Sequence, residues 1–183
     1  MAQFDVEKVR KMANGIRRRV LEITIAKNGC YLSQALSSAE ILSSLYGGIM
    51  KLGASQAPFE APKFSGVPGK TNKDYVTGRA YNGPVTAGYD RLLISPAHYA
   101  VAVYAALIEA GRLSPESLFE FNVDGSTVEQ IGAEHSPGFE LTIGSFGQAI
   151  SQAGGIAFSR KLKKEDGRVF LFMSDGELEE GQT

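Results

Sequence analysis

The feature that most constrains the fold is an uninterrupted apolar run, RVFLFM at residues 168–173, followed directly by Ser174, Asp175 and Gly176. A run without polar alternation is typical of a parallel strand that is buried on both faces. Segments with helical and strand-like patterns alternate upstream of this run. That order predicts an α/β fold in which helices cover a parallel sheet.

Apolar spacing and capping residues predict the first helices. Between residues 4 and 27, apolar side chains recur every three or four positions, which indicates an amphipathic helix. Ser37 and Glu40 have the spacing of a capping box, in which each side chain satisfies a backbone N–H of the other. We therefore expect a second helix that starts there and runs to about Met50.

Downstream segments differ in regularity. Residues 51–89 hold four of the seven prolines, so we interpret them as a long irregular insertion in a single domain of residues 1–183. Residues 92–94 predict a short buried strand, and residues 99–110 an apolar helix closed by glycine. Ser114, Pro115 and Glu116 predict the start of another short helix.

Small residues dominate the helix predicted at residues 146–163. Glycine in the middle of a helix costs about 1 kcal/mol relative to alanine. Gly154 and Gly155 therefore predict close packing of this helix against another helix or subunit.

Composition excludes several classes of protein. A formal charge of -1 gives no indication of nucleic-acid binding, and Arg17, Arg18 and Arg19 should spread around a solvated helix. The single cysteine, Cys30, excludes an intramolecular disulfide and favours the cytoplasm. The first residues, MAQFD, are followed by charged residues and not by the apolar segment of a signal peptide, and no apolar run approaches the roughly 20 residues of a membrane helix. We expect a protein that is neither exported nor bound to membranes.

Asp175 is the first candidate for chemistry. In open α/β sheets, ligands bind beyond the carboxyl ends of the strands, and Asp175 follows a buried strand. Its carboxylate could bind Mg²⁺, which takes one or two carboxylates together with phosphate and water. Gly176 would let a phosphate approach the backbone. An ordinary turn at the end of a strand is the alternative for these residues taken alone.

Three segments together resemble the transketolase family. Residues 144–183, GSFGQAISQAGGIAFSRKLKKEDGRVFLFMSDGELEEGQT, resemble its glycine turn, small-residue helix, strand and acidic metal-binding turn. DRLLISPAHYAVAVYAALIEAG at residues 90–111 resembles its strand, histidine and helix, and LSSAEILSSLY at residues 36–46 its early helix. The resemblance implies a three-layer thiamine-diphosphate-binding fold, with a mostly parallel sheet between helices that is incomplete at the carboxy-terminal end.

The resemblance also implies thiamine diphosphate and Mg²⁺ as cofactors. Asp175 matches the metal ligand of the family. The positions that match cofactor-binding residues, besides Asp175, are His98, Gly144, Ser145, Phe146, Gly176 and Glu177. The family more often has leucine where Phe146 stands, and an aromatic ring there could pack on the pyrimidine.

Catalytic roles are implied for His98, beside the reacting centre, and for Glu180, at a subunit interface that links two cofactor sites. Two histidines of the family that face the sugar are missing: one segment reads NGCY at residues 28–31, the other VEQIGAEHSPGFE. His135 in the second segment is a candidate replacement, and a simple loop histidine is an equal alternative. The missing histidines leave the choice of substrate open.

The implied activity is transfer of a two-carbon ketol unit from a ketose or ketose phosphate to an aldose. The second metal ligand and the glutamate that activates the cofactor have no match here, so we expect a carboxy-terminal section or subunit as partner, in a homodimer or heterotetramer. Two alternatives stay open: another thiamine-diphosphate enzyme, such as a deoxyxylulose-phosphate synthase or an unusual ketose transferase, and a non-catalytic interaction subunit. A nucleotide loop at residues 144–147 is disfavoured, because it lacks the Lys-Ser/Thr pair.

Overall fold

The structure is a computed structural model that describes residues 4–183; Met1, Ala2 and Gln3, on which the expectation about export partly rests, lie outside the described residues. The α-helices are α1 Val6–Ala26, α2 Leu32–Ser37, α3 Ala39–Ser44, α4 Ala100–Glu109 and α5 Ala149–Lys163. The strands are β1 Arg91–Ile94 and β2 Val169–Phe172. A π-helical turn, Leu45–Ile49, and short 3-10 helices at Gly78–Asn82, Ala97–Tyr99, Glu116–Glu120 and Asp175–Glu179 complete the order.

Helix α1 confirms the opening amphipathic helix. The Asp5 carboxylate accepts a hydrogen bond from the Lys8 backbone N–H at 3.0 Å and caps its first turn. One face is buried against α3 and α4, through Val9, Met12, Ala13, Ile16, Val20 and Ile23. The expectation that all three arginines are solvated is wrong for Arg19, whose Nε lies 2.6 Å from Glu109 Oε1 in a mostly buried pair.

The predicted capping box at Ser37 and Glu40 is wrong. Ser37 is the last residue of α2, and its hydroxyl donates to the Gln34 carbonyl at 3.0 Å. The Glu40 carboxylate pairs instead with Arg17. The backbone at Ser38 is already helical, with φ -91° and ψ -6°, so the chain continues into α3 without the extended residue that a capping box needs.

The two strands confirm the predicted parallel pairing. Leu92 lies opposite Phe170, and Ile94 opposite Phe172. Leu92 and Ile94 face the core cluster that α1 and α4 share. Leu93 is also buried, and alternation places it on the opposite face of the strand, the side left for α5, which contacts both strands. Helices therefore cover both faces of β1, as the α/β fold class predicts.

Strand β2 is less buried than its sequence predicts. Of its residues only Phe172 is buried, and Val169, Phe170 and Leu171 are half-buried. Among residues 4–183, β1 is the one strand that pairs with β2, so its other edge stays open. The expectation of burial on both faces is thus wrong for the described residues, because no neighbouring strand covers that edge.

The outer face of α5 is similarly uncovered. A methyl group added at Gly154 or Gly155 would meet no atom within 4 Å, so the predicted close packing is absent between residues of the described chain. On the same helix, Phe158 is 62% exposed and Leu162 68% exposed. Packing of this face against a subunit remains a prediction.

The irregular segment 51–89 is held in place by a side chain that lies outside it, Arg112. The Arg112 guanidinium donates to the carbonyls of Tyr81 at 2.8 Å and Gly53 at 2.9 Å. Arg112 follows α4, which is buried from Ala100 to Ile108 and ends, as predicted, at a glycine with positive φ, Gly111. Within residues 4–183, no helix has the length and apolar character needed to cross a membrane.

Asp90, just before β1, connects the start of β1 to the segments of Lys51 and Arg168. Its carboxylate accepts from the backbone N–H groups of Lys51 and Arg168, both at 2.8 Å, and pairs with the Arg168 guanidinium at 2.7 Å. Burial would raise the pKa of Asp90, and these hydrogen bonds outweigh it and hold the pKa below its ordinary value.

We expect Asp90→Asn to lower the free energy of unfolding by about 1–3 kcal/mol at neutral pH, because the amide cannot accept at every position. The folded-state pKa is lowered, so this stabilisation is present above the unfolded pKa and is lost as the pH falls through the folded value. Urea denaturation at several pH values measures it, with exposed Asp124→Asn as control. Equal stability of Asp90→Asn and wild type at neutral pH would contradict this role.

Candidate functional site

A cavity of about 310 Å³ lies beyond the carboxyl end of β1. It is formed by the turn after β1, the start of α2, and the loops before α5. Its lining residues are Tyr31, Gln34, Ser95, Ala97, His98, Ile131, Ile143, Gly144, Ser145 and Phe146. Four predicted site residues, His98, Gly144, Ser145 and Phe146, therefore meet in one cavity, at the edge of the sheet where ligands of α/β proteins bind.

His98 is held among aromatic rings. It lies in the 3-10 helix Ala97–Tyr99, and its ring centroid is 5.1 Å from that of Tyr31 and 5.7 Å from that of Phe146. Burial lowers the pKa of His98, and the negative charge of Glu177 opposes this shift. Near neutral pH the imidazole is therefore mainly uncharged, with one nitrogen to donate and one to accept a hydrogen bond.

The turn at residues 144–147 presents an open surface to the cavity. Gly144, Ser145 and Phe146 are exposed, and a Cβ added at Gly144 would meet nothing within 4 Å. Gly147 is buried and has φ +76°, and a Cβ added there would lie 3.0 Å from the Glu180 Cβ. Glycine is thus required at position 147 by conformation and by space.

Asp175 begins the 3-10 helix Asp175–Glu179, which is separated from β2 by two residues. Its side chain is exposed, and within the described residues it forms no ion pair or hydrogen bond. Gly176 beside it is equally open. These observations fit a carboxylate that is free to bind a cation, although neither residue lines the cavity itself. Residues 4–183 contain no group of three or more His, Cys, Asp or Glu placed to hold a metal, so Asp175 would supply one ligand of several.

Glu177 differs from its neighbours, because its side chain is completely buried. Its backbone N–H, which the resemblance assigns to a diphosphate, donates instead to the Ser174 carbonyl at 3.3 Å. Burial would raise the pKa of the carboxyl group, and hydrogen bonds, first that from Ser95, outweigh it and keep the pKa below its ordinary value. The side chain is therefore a carboxylate at neutral pH.

The two remaining candidates lie outside the cavity. His135 Nε2 is 2.9 Å from Glu129 Oε2, its ring centroid is 4.4 Å from that of Phe64, and it lines a separate cavity of about 110 Å³. The structure therefore does not bring His135 together with His98. Glu180 is exposed at the end of the turn beside Gly147, and its role at a subunit interface stays a prediction.

Sequence reasoning missed several lining residues, above all Ser95 and Tyr31. Ser95 directly follows β1, so the rule that pointed to Asp175 beyond β2 would also have pointed to Ser95. Tyr31 lies in the segment where the family's first histidine is missing, and it borders His98. Gln34, Ile131 and Ile143 carry no pattern that would have singled them out.

The fold and the cavity together define an α/β protein with a cavity at the carboxyl edge of a parallel sheet. No family model matches the sequence. A transketolase family protein of Sinorhizobium fredii is 33% identical over 93% of this chain and 52% of its own length. The 6-deoxy-6-sulfo-D-fructose transketolase subunit of a Clostridium species is 30% identical over 93% of this chain and 52% of its own length.

A solved structure agrees with these relatives. The transketolase from Leishmania mexicana superposes with a TM-score of 0.69 at 25% identity, over 94% of this chain and 24% of that protein. The chain is therefore similar to transketolase family proteins over nearly its whole length, and it has the fold expected for the amino-terminal section. The chain spans about half the length of the curated relatives it matches.

The charge of His98 can be tested by NMR, because the chain has two histidines and a His135→Gln variant assigns their signals. We expect the pKa of His98 to lie below that of an exposed histidine. Glu177→Gln should lower it further, because it removes the negative charge that favours the imidazolium. Glu179→Gln, an exposed change in the same turn, is the matched control. A pKa of His98 that rises in Glu177→Gln would contradict this geometry.

Proposed function

We propose that the chain is the diphosphate-side part of a thiamine-diphosphate- and Mg²⁺-dependent transferase, which moves a two-carbon ketol unit from a ketose or ketose phosphate to an aldose. The observation that carries the proposal is the position of the cavity. His98 and the turn at residues 144–146 line it, at the sheet edge where Asp175 lies unpaired. Similarity to transketolase family proteins supports the same reaction class.

The residues of this chain would have separate tasks. Asp175 would give one oxygen ligand to Mg²⁺. Phe146 and Tyr31 offer aromatic walls for the rings of a cofactor. When bound, thiamine diphosphate supplies a centre that stabilises a carbanion, and protein supplies orientation and proton transfer. The uncharged imidazole of His98 can hold a hydrogen bond to an oxygen at the reacting centre in either direction.

The groups that this chain lacks, a second metal ligand and the glutamate that activates the cofactor, would come from a partner. One carboxylate gives only a fraction of a magnesium site, and the Clostridium relative is named as a subunit. The exposed apolar face of α5, with Phe158 and Leu162, and the open edge of β2 would be covered by a carboxy-terminal section or subunit. A homodimer or heterotetramer in the cytoplasm is the assembly that we propose.

The proposed substrates are sugars or sugar phosphates. Tyr31 borders His98 in the segment where the family has a sugar-facing histidine, which favours a substrate different from that of sugar-phosphate transketolases. A second candidate is therefore another thiamine-diphosphate ketose transferase. A non-catalytic subunit is disfavoured, because an exposed Asp175 and a cavity-lining His98 have no structural task that would preserve them together.

Isothermal titration with thiamine diphosphate and Mg²⁺ tests the proposal. We expect affinity weaker than micromolar and no turnover for this chain alone, and tight binding with ketol transfer once the partner is present. Asp175→Asn should weaken Mg²⁺-dependent binding by the assembled protein by at least about tenfold, since it removes a charged ligand. Glu179→Gln, an exposed acidic neighbour, is the control.

Micromolar binding by the isolated chain would show that the site needs no partner. An assembled protein without cofactor-dependent turnover would favour the non-catalytic subunit. Retention of full Mg²⁺-dependent affinity in Asp175→Asn would remove this residue from the site.

A further inference from the structure

The Glu177 carboxylate accepts four hydrogen bonds in a fully buried position. Oε1 accepts from the Ser95 hydroxyl and from the Gly147 backbone N–H at 3.2 Å. Oε2 accepts from the Ser174 backbone N–H at 2.8 Å and from the Ser174 hydroxyl at 3.1 Å. Among the described residues, no lysine, arginine or histidine forms an ion pair with it. These donors alone offset the cost of burying the charge.

The donors come from three segments that are far apart in the sequence. Ser95 follows β1 and lines the cavity, Ser174 follows β2 and precedes Asp175, and Gly147 closes the turn whose other residues line the cavity. One side chain therefore joins both strand ends to the turn at residues 144–147. No other carboxylate of the described residues has donors from all three segments.

We propose that Glu177 is a positioning residue, which holds the turn at residues 144–147 and the turn of Asp175 at a fixed separation at the carboxyl edge of the sheet. The inference rests on the proposed function, because it assigns the first turn to the rings of the cofactor and the second to its metal and diphosphate. A ligand that must contact both turns binds more tightly when their separation is set in advance.

The arrangement requires a carboxylate and not merely a polar group. Oε1 and Oε2 each accept from a backbone N–H, one at Gly147 and the other at Ser174. In Glu177→Gln, either orientation of the amide places an NH₂ group against one of these N–H donors. Glu177→Asp shortens the side chain by about 1.5 Å and cannot reach all donors. Because both orientations are open to the amide, Glu177→Gln should loosen both turns, and Glu177→Asp should release at least one of them.

Two measurements on the assembled protein test the inference. The first is hydrogen exchange of the peptide containing Gly147, read by mass spectrometry, and the second is the affinity for thiamine diphosphate with Mg²⁺. We expect Glu177→Gln to speed exchange at Gly147 and to weaken cofactor binding, each by about tenfold or more, as for loss of a hydrogen bond to a charged group. Glu179→Gln in the same turn should change neither.

Ser95 gives an independent pair of variants if Glu177→Gln fails to fold. Ser95→Ala removes one donor, so it should move both readouts in the same direction as Glu177→Gln but less. Ser95→Thr keeps the hydroxyl and should change both readouts less than Ser95→Ala. A merely structural role would not produce this ordering in cofactor affinity together with local exchange at Gly147.

The outcomes separate the inference from the proposed function. Unchanged exchange at Gly147 in both Glu177→Gln and Ser95→Ala would show that Glu177 does not hold the turn at residues 144–147, and it would overturn the inference. Normal cofactor binding by wild type and equally by Glu177→Gln overturns the positioning role alone. Faster exchange in the variants of an assembled protein whose wild type binds no cofactor overturns the proposed function, and the positioning role with it.

Discussion

The parallel pairing of β1 with β2 is the constraint on which the rest of the structure depends. Parallel strands end at the same edge, so Ser95 and Ser174, which are 79 positions apart in the chain, emerge side by side there. Their hydroxyls then converge on a single carboxylate, Glu177. The cavity forms where this edge meets the loop before α5. Without the pairing, the residues at the two strand ends would share no surface.

Much of the fold could be predicted from the sequence, since helix α1, strand β1 and helix α4 carry strong local patterns. The capping box shows where such a pattern fails. Of the Ser-x-x-Glu spacings in the chain, the one at residues 174–177 forms the box, and the one at residues 37–40 does not. Ser174 is extended, with φ -82° and ψ 159°, whereas Ser38 is helical. Spacing alone cannot distinguish them, because the backbone at the cap is set by tertiary packing.

The site was predictable in outline and not in detail. The resemblance assigned His98 and the turn at residues 144–146 to the same cofactor, and in the structure they line one cavity. The burial of Glu177 and the contact of Tyr31 with His98 depend on contacts between distant segments, which no local pattern records. The apolar run of β2 and the glycines of α5 led to predictions of burial that the described residues do not fulfil. They indicate close contacts that residues 4–183 do not make with one another.

Asp175 and Glu177 stand two positions apart on one turn, and their surroundings give them opposite properties. Each oxygen of the Glu177 carboxylate accepts two hydrogen bonds from donors of the chain itself. No lone pair is therefore left to bind a cation. Asp175 has no such partner among the described residues and keeps its oxygens for a ligand. An acidic turn of four carboxylates, at positions 175, 177, 179 and 180, thus offers a metal fewer ligands than its sequence suggests. In the proposed magnesium site, the remaining oxygens would come from a diphosphate, from water and from the proposed partner.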